Sequence, residues 1–348
     1  MKMKPLGRTG IDVTDYCLGT MTWGNQTPEA DGHRQMDAAL AAGINFVDTA
    51  EMYPVNPVTK ETIGRTEEII GTWHAKNPGR RGDYILATKH SGEGLGYVRD
   101  GEPISSKTIA STIEESLARL QTDYIDLYQF HWPNRGSYMF RKNWNYDPSG
   151  MKGDDVRADM EDCLEALQKE MEKGTIRAFG LSNESAWGTS QFLRLAEEKG
   201  LPRVASVQNE YSLLCRLYDT DMAEMSVAED VGLLAFSPLA CGFLTGKYQG
   251  GAVPEGSRMS IGPGMGGRMQ PRVLETTEAY LKLAQEHGVD PVHMALAFCT
   301  ARPFMCSAIF GATSAAQLDH ILAGLDVTLS GELMDAINET HKAHPMPY

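Results

Sequence analysis

Four side chains in this sequence are of the kinds that move protons: Asp48, Tyr53, Lys89 and His131. Three of them close short apolar runs. Asp48 stands at the end of Asn45–Thr49, Lys89 at the end of Tyr84–Lys89 and His131 at the end of Ile125–His131, with Tyr53 five residues past Asp48. Side chains alternate along a strand, so Ile85, Ala87 and Lys89 share one face, and so do Ile125, Leu127, Gln129 and His131. Each residue alone has an ordinary structural use: an Asp as a helix cap or turn former, a Lys in solvent, a Tyr on a rim. Together they read as a proton-donor site. A free phenol titrates near 10. A neighbouring ammonium favours phenolate and is expected to lower that value, while a carboxylate holds the ammonium charged and oriented. Tyr53 can then protonate an alkoxide as it forms, with His131 polarising the carbonyl through a hydrogen bond.

The elements that must position these residues alternate. Apolar runs of strand length occur at Tyr16–Met21, Asn45–Thr49, Tyr84–Lys89, Ile125–His131, Ile176–Ser182, Ala205–Asn209, Leu233–Ser237 and Ser307–Gly311. Between them lie helical faces such as Ile109, Ile113, Leu117 and Leu120, or Met160, Leu164, Leu167 and Met171. Gly43, Gly174, Gly200 and Gly288 stand where left-handed helix ends belong, and Thr313-Ser314 and Ser105-Ser106 suit helix starts. Strand–helix alternation repeated eight times predicts an α/β chain folded as a single (β/α)8 TIM barrel over residues 1–348, with an open doubly wound sheet as the rival. Two long loops, 133–153 after the fourth strand and 242–274 after the seventh, are expected at the C-terminal face, where barrel enzymes keep their chemistry.

Composition narrows the function. The net charge of −14 argues against nucleic acid and anionic membrane as partners. No apolar run reaches the ~20 residues of a membrane helix, so no membrane insertion is expected. The N-terminal residues have no signal-peptide pattern, and the six Cys form neither C-x-x-C nor a Cys/His metal spacing. A cytoplasmic protein with reduced thiols and no metal is expected, and the sequons at Asn25, Asn183 and Asn338 are read as chance. The acidic average conceals a basic rim. Arg135, Arg141, Lys142 and Lys152 outweigh Asp147 in the first long loop, and Lys247, Arg258, Arg268 and Arg272 outweigh Glu255 in the second, a net +3 in each.

The motifs carry a resemblance. Phe46-Val47-Asp48-Thr49-Ala50-Glu51-Met52-Tyr53 is similar to the D-T-A-x-x-Y signature of the aldo-keto reductase superfamily, and Ala87-Thr88-Lys89 and Gln129-Phe130-His131-Trp132-Pro133 resemble its Lys and His motifs, in the same order. The likeness runs from Leu6-Gly7-Arg8-Thr9-Gly10 and Leu18-Gly19-Thr20-Met21 to Gly311-Ala312-Thr313. It points to the bacterial NADP(H)-dependent branch that resembles potassium-channel beta subunits. It implies a barrel that reduces aldehydes or ketones with NADPH. Tyr53 is then the general acid, Lys89 and Asp48 tune it, and His131 orients the carbonyl. It also implies cofactor contacts at Gly19, Thr20, Met21, Asp48, Ser182, Asn183, Gln208, Phe236, Ser237, Leu239, Gly242, Lys247, Arg258, Thr313 and Gln317. Relatives often carry Glu-Asn near the adenosine where this sequence has His320 and Ile321, a departure from the pattern on the adenine side, where His320 could stack or pair with phosphate.

Gly262-x-Gly264-x-x-Gly267 matches the Rossmann expression but has no strand before it and is read as a flap. The substrate pocket is assigned to Trp23, Trp132 and Trp144, with Tyr138, Phe140 and Tyr146 nearby, which suits a small apolar or aromatic carbonyl. Two rival functions are a Schiff-base lyase using Lys89 and a nicotinamide-sensing auxiliary subunit with vestigial activity. The sequence carries no signal for the oligomeric state.

Overall fold

A computed structural model describes residues 1–348. The chain opens with an antiparallel hairpin, β1 (Met3–Pro5) and β2 (Asp12–Thr14). Eight strands then pair in parallel in chain order: β3 (Tyr16–Gly19), β4 (Phe46–Asp48), β5 (Ile85–His90), β6 (Ile125–Phe130), β7 (Ile176–Ser182), β8 (Val204–Glu210), β9 (Gly232–Phe236) and β10 (Met305–Phe310). β10 returns to β3 and closes the barrel. The helices are α1 (Glu29–Ala41), α2 (Arg65–Lys76), α3 (Ile109–Leu120), α4 (Gly153–Lys173), α5 (Ala186–Lys199), α6 (Asp221–Glu229), α7 (Arg258–Ile261), α8 (Val273–Glu286), α9 (Pro291–Thr300), α10 (Ala315–Leu322) and α11 (Gly331–Ala343). None is long and apolar enough to cross a membrane.

The sequence forms these elements for local reasons. Parallel strands covered by helices are buried on both faces, so β6 and β8 are buried at every position and read as continuous runs. Gly174 and Gly200 end α4 and α5 in the left-handed region, at φ 80° and 67°. Ser314 caps α10 by accepting from the Gln317 amide. Ser105-Ser106 does not start a helix. The Ser105 amide instead donates to the Thr108 hydroxyl in a turn, and α3 begins at Ile109.

Small side chains fill the barrel interior: Cys17, Ala87, Ala178, Ala205 and Cys306, between Phe46, Leu127 and Leu234. Leu6, Ile11 and Val13 of the hairpin pack onto this cluster and plug it from the N-terminal side. Gly7 makes the plug possible: it sits at φ 56°, and a Cβ there would lie 2.6 Å from the Ala205 carbonyl oxygen. The hairpin was not foreseen, because three-residue strands are too short to show a period. The opposite end of the barrel carries the two long loops.

Candidate active site

At the C-terminal ends of the strands lies a cleft of about 720 Å3. It is lined by every residue to which cofactor contact was assigned, and by Tyr53, His131 and Trp132. Lys89 lies just behind this surface with its side chain wholly buried.

The four proton-moving residues meet. Asp48 ends β4, and its Oδ2 pairs with Lys89 Nζ at 2.6 Å. The same ammonium donates to the Thr49 carbonyl at 2.7 Å and to the Tyr53 hydroxyl at 3.4 Å. Asp48 Oδ1 accepts from Gln208 Nε2 at 2.8 Å and from Gln129 Nε2 at 3.1 Å. Gln129 was placed by period on the His131 face but not assigned to the site; two buried amides now hold the carboxylate that holds the lysine. The Tyr53 and His131 rings meet edge to face, with centroids 5.8 Å apart.

Burial sets the protonation states. It pushes the Lys89 ammonium down, but Asp48 and Tyr53 outweigh that and hold it above its ordinary value. The Tyr53 phenol is raised, chiefly by burial. Lys89 pulls it down and Asp48 pushes it up, and burial wins. The expectation of a lowered phenol pKa is therefore overturned: the lysine acts as foreseen, but inside a desolvated pocket. A phenol that keeps its proton at neutral pH is what a proton donor needs. The His131 imidazole is held well below its usual value, first by burial and then by Lys89, so it is neutral, and its Nδ1 is buried without a protein partner.

The cofactor side shows features that suit an anionic dinucleotide carrying a carboxamide. Asn183, at φ 52°, donates from Nδ2 to the His131 carbonyl at 2.9 Å and leaves its buried Oδ1 unpaired. The turn after β9 places Ser237, Ala240, Cys241 and Gly242 at positive φ, with the Ala240 and Gly242 amides donating within the turn to the Ser237 and Leu239 carbonyls. Lys247 and Arg258 line the cleft without a carboxylate partner, and burial lowers both from their ordinary values. Thr313 and Gln317 bond to each other, Gln317 Oε1 accepting from the Thr313 amide at 3.0 Å. The Gly262–Gly267 stretch follows the one-turn helix α7 rather than a strand, so the Rossmann context is absent.

Two substrate-pocket assignments fail. Trp23 is wholly buried away from the cleft: its indole packs where a Cβ on Gly32 would stand, 2.9 Å from Cδ2, and its Nε1 donates to Gln35 Oε1. Trp144 is 59% exposed and does not line the cleft. Trp132 does, with its ring 6.5 Å from that of Phe140, and Met21, Met52 and Val55 complete an apolar wall beside Tyr53.

The basic rim also changes. Arg135 pairs with Glu184, and Arg141 and Arg268 both pair with Glu210 at 2.7 Å. Tyr348 donates to the same carboxylate at 3.2 Å. Burial pushes Glu210 up, but the two guanidiniums outweigh it and hold the carboxyl below its ordinary value. Glu210, at the end of β8, thus clasps both long loops and the last residue. The signal was available, since Glu210 ends its strand as Asp48 ends its own. The unneutralised basic charge facing the cleft narrows to Lys247 and Arg258, with Glu255 as an unpaired carboxylate on the same lining.

The comparisons agree with this architecture. The model of the Aldo/keto reductase family matches residues 16–342. Protein tas of Escherichia coli (strain K12) is 39% identical over 353 aligned positions, covering 100% of this chain and 99% of its own. The uncharacterized oxidoreductase YrpG of Bacillus subtilis (strain 168) is 32% identical, over 97% of this chain and 95% of its own. A probable voltage-gated potassium channel subunit beta of Arabidopsis thaliana is 28% identical, over 99% and 98%. With its closed eight-stranded barrel and its family match over residues 16–342, the chain belongs to the aldo/keto reductase family of oxidoreductases, which generally work with a nicotinamide cofactor.

Proposed function

We propose that the chain, acting as one barrel domain over 1–348, reduces aldehydes or ketones with NADPH, and that Tyr53 is the general acid. The observation that carries this is the buried relay Asp48–Lys89–Tyr53 beside a neutral His131. When bound, the reduced nicotinamide supplies hydride. Ser182, Asn183 and Gln208 would hold its carboxamide, Phe236 would offer a ring face, and Lys247 and Arg258 would take the phosphates. Tyr53 donates its phenolic proton to the oxygen that becomes the alcohol, and the Lys89 ammonium stabilises the phenolate left behind. Asp48 keeps that ammonium charged and aimed. His131 donates a hydrogen bond to the carbonyl oxygen, which a neutral imidazole does with its one N–H. The apolar wall of Met21, Met52, Val55, Trp132 and Phe140 suits an apolar or aromatic carbonyl.

The lyase alternative needs a neutral lysine. Lys89 has three acceptors and a raised pKa, which argues against it. The test is consumption of NADPH and of NADH with a panel of aldehydes, for the protein and for Tyr53→Phe. Turnover that prefers NADPH and falls by roughly 10²–10⁴ in the variant is expected. Near-normal turnover in the variant would sink the assignment. Tight NADPH binding with no turnover on any carbonyl would favour an auxiliary, sensing role instead.

A further inference from the structure

One cluster outside the proton relay has no use in the chemistry above. Asp290, the residue before α9, His293 in its first turn and His320 on α10 bring one ligating atom each within 4.8 Å of one another. Asp290 and His320 also line the cleft. Sequence spacing hides the group, because only Asp290-x-x-His293 is local and His320 lies 30 residues away from Asp290. We propose that Asp290, His293 and His320 bind one divalent transition-metal ion of the zinc class on the wall of the cleft.

The geometry brings three donors close enough to close on one ion. His320 Nε2 lies 3.0 Å from Asp290 Oδ2. His293 Nε2 donates to the His320 carbonyl oxygen at 2.7 Å, which turns the Nδ1 side of the same ring toward Asp290. His293 Nδ1 lies 4.0 Å from Asp290 Oδ1, beyond hydrogen-bond distance. Ligands on a tetrahedral zinc stand about 3.3 Å apart, given metal–ligand bonds near 2.0–2.2 Å. The three ligating atoms lie within 4.8 Å of one another, so drawing them to zinc spacing takes a rotation of the half-exposed His320 and a shift of the Asp290 carboxylate toward His293.

The supports resemble those of a metal site. A ligating imidazole usually donates its other N–H to a carbonyl, as His293 does. Asp290 Oδ1 is oriented by the amides of Val292 and His293. Gly324 matters too: a Cβ there would overlap the His293 ring, so only glycine lets the imidazole stand where it does. Two nitrogens and one oxygen suit Zn2+, Co2+ or Ni2+ better than Mg2+ or Ca2+, which prefer oxygen ligands. Three protein ligands leave a coordination position open.

The test titrates Co2+ and then Zn2+ into the full chain, free of any affinity tag and of dinucleotide. One equivalent of Co2+ giving visible d–d bands without thiolate charge transfer, displaced by Zn2+, is expected. His293→Ala and His320→Ala should each weaken binding by roughly 100-fold or more, and Gly324→Ala, which removes no ligand, by about 10-fold. Equal binding in both histidine variants would overturn the site. So would thiolate bands that trace the metal to a cysteine, or no binding below millimolar metal. None of these readouts uses NADPH, so the proposal and the reductase reading can fail separately.

Discussion

Replacing Lys89 by Met tests the relay at its centre. Met is unbranched, of similar length, and uncharged, so it removes the ammonium with little change of shape. That ammonium stands 3.4 Å from the Tyr53 hydroxyl, and both groups are out of solvent. At an effective dielectric constant near 20, a unit charge at that distance stabilises a phenolate by about 5 kcal/mol. The carboxylate of Asp48, no longer neutralised, pushes the same way, since it also raises the Tyr53 pKa. If most of this develops in the transition state, the chemical step slows between about 10³- and 10⁴-fold. Single-turnover NADPH oxidation with an excess of an aromatic aldehyde measures that step, and fluorescence titration measures cofactor affinity, which should hardly move. Alcohol oxidation should suffer at least as much, because it needs the phenolate that the variant disfavours. Lys89→Met also strands a buried carboxylate at a cost of roughly 3–5 kcal/mol, so the thermal midpoint must be followed. Lys89→Met combined with Asp48→Asn removes that stranded charge and should regain stability without regaining the rate. A folded Lys89→Met protein within about tenfold of the parent rate would refute the electrostatic account of Tyr53.

Two further outcomes follow from buried charge. Burial holds His90 at about 3 and keeps His131 and His74 below their ordinary values. The unfolded chain takes protons at these positions near pH 6.5 while the folded chain cannot, so stability is complete above about pH 7 and falls as the pH drops through 6 and 5. Each histidine adds up to about 1.4 kcal/mol per pH unit. Urea midpoints at pH 7.5 and 5 should show the loss, and identical midpoints would contradict it. Glu210→Gln leaves the Arg141 and Arg268 guanidiniums buried without a counter-charge, at roughly 3–5 kcal/mol. Limited proteolysis should then cut the two long loops faster than in the parent, and an unchanged pattern would show that the clasp does not hold them.

How far the sequence reached depended on what each feature needs in order to be seen. The barrel strands were legible because burial on both faces turns each into an unbroken apolar run. The relay was legible because three of its members sit at strand ends with the right alternation. Direction was the common failure. Trp23 is near the mouth in sequence, yet it turns into the space that Gly32 leaves, and a glycine inside a helix was the available hint. The phenol pKa was misjudged because charges can be read from a sequence but desolvation cannot. The basic rim was counted correctly but taken as free charge, since pairing with Glu184 and Glu210 is a long-range event that a count by segment does not contain.

Barrel enzymes are commonly described as a constant frame with interchangeable loops, each free to drift as substrates change. The Glu210 clasp limits that freedom here. The loop carrying Arg141, the loop carrying Arg268 and the terminal Tyr348 answer to one carboxylate. A change that lengthens or recharges any of them leaves the other two bound to a partner that no longer balances. These segments are therefore coupled through one side chain, and a graft that exchanges one loop with a relative has to bring the matching residues of the other two.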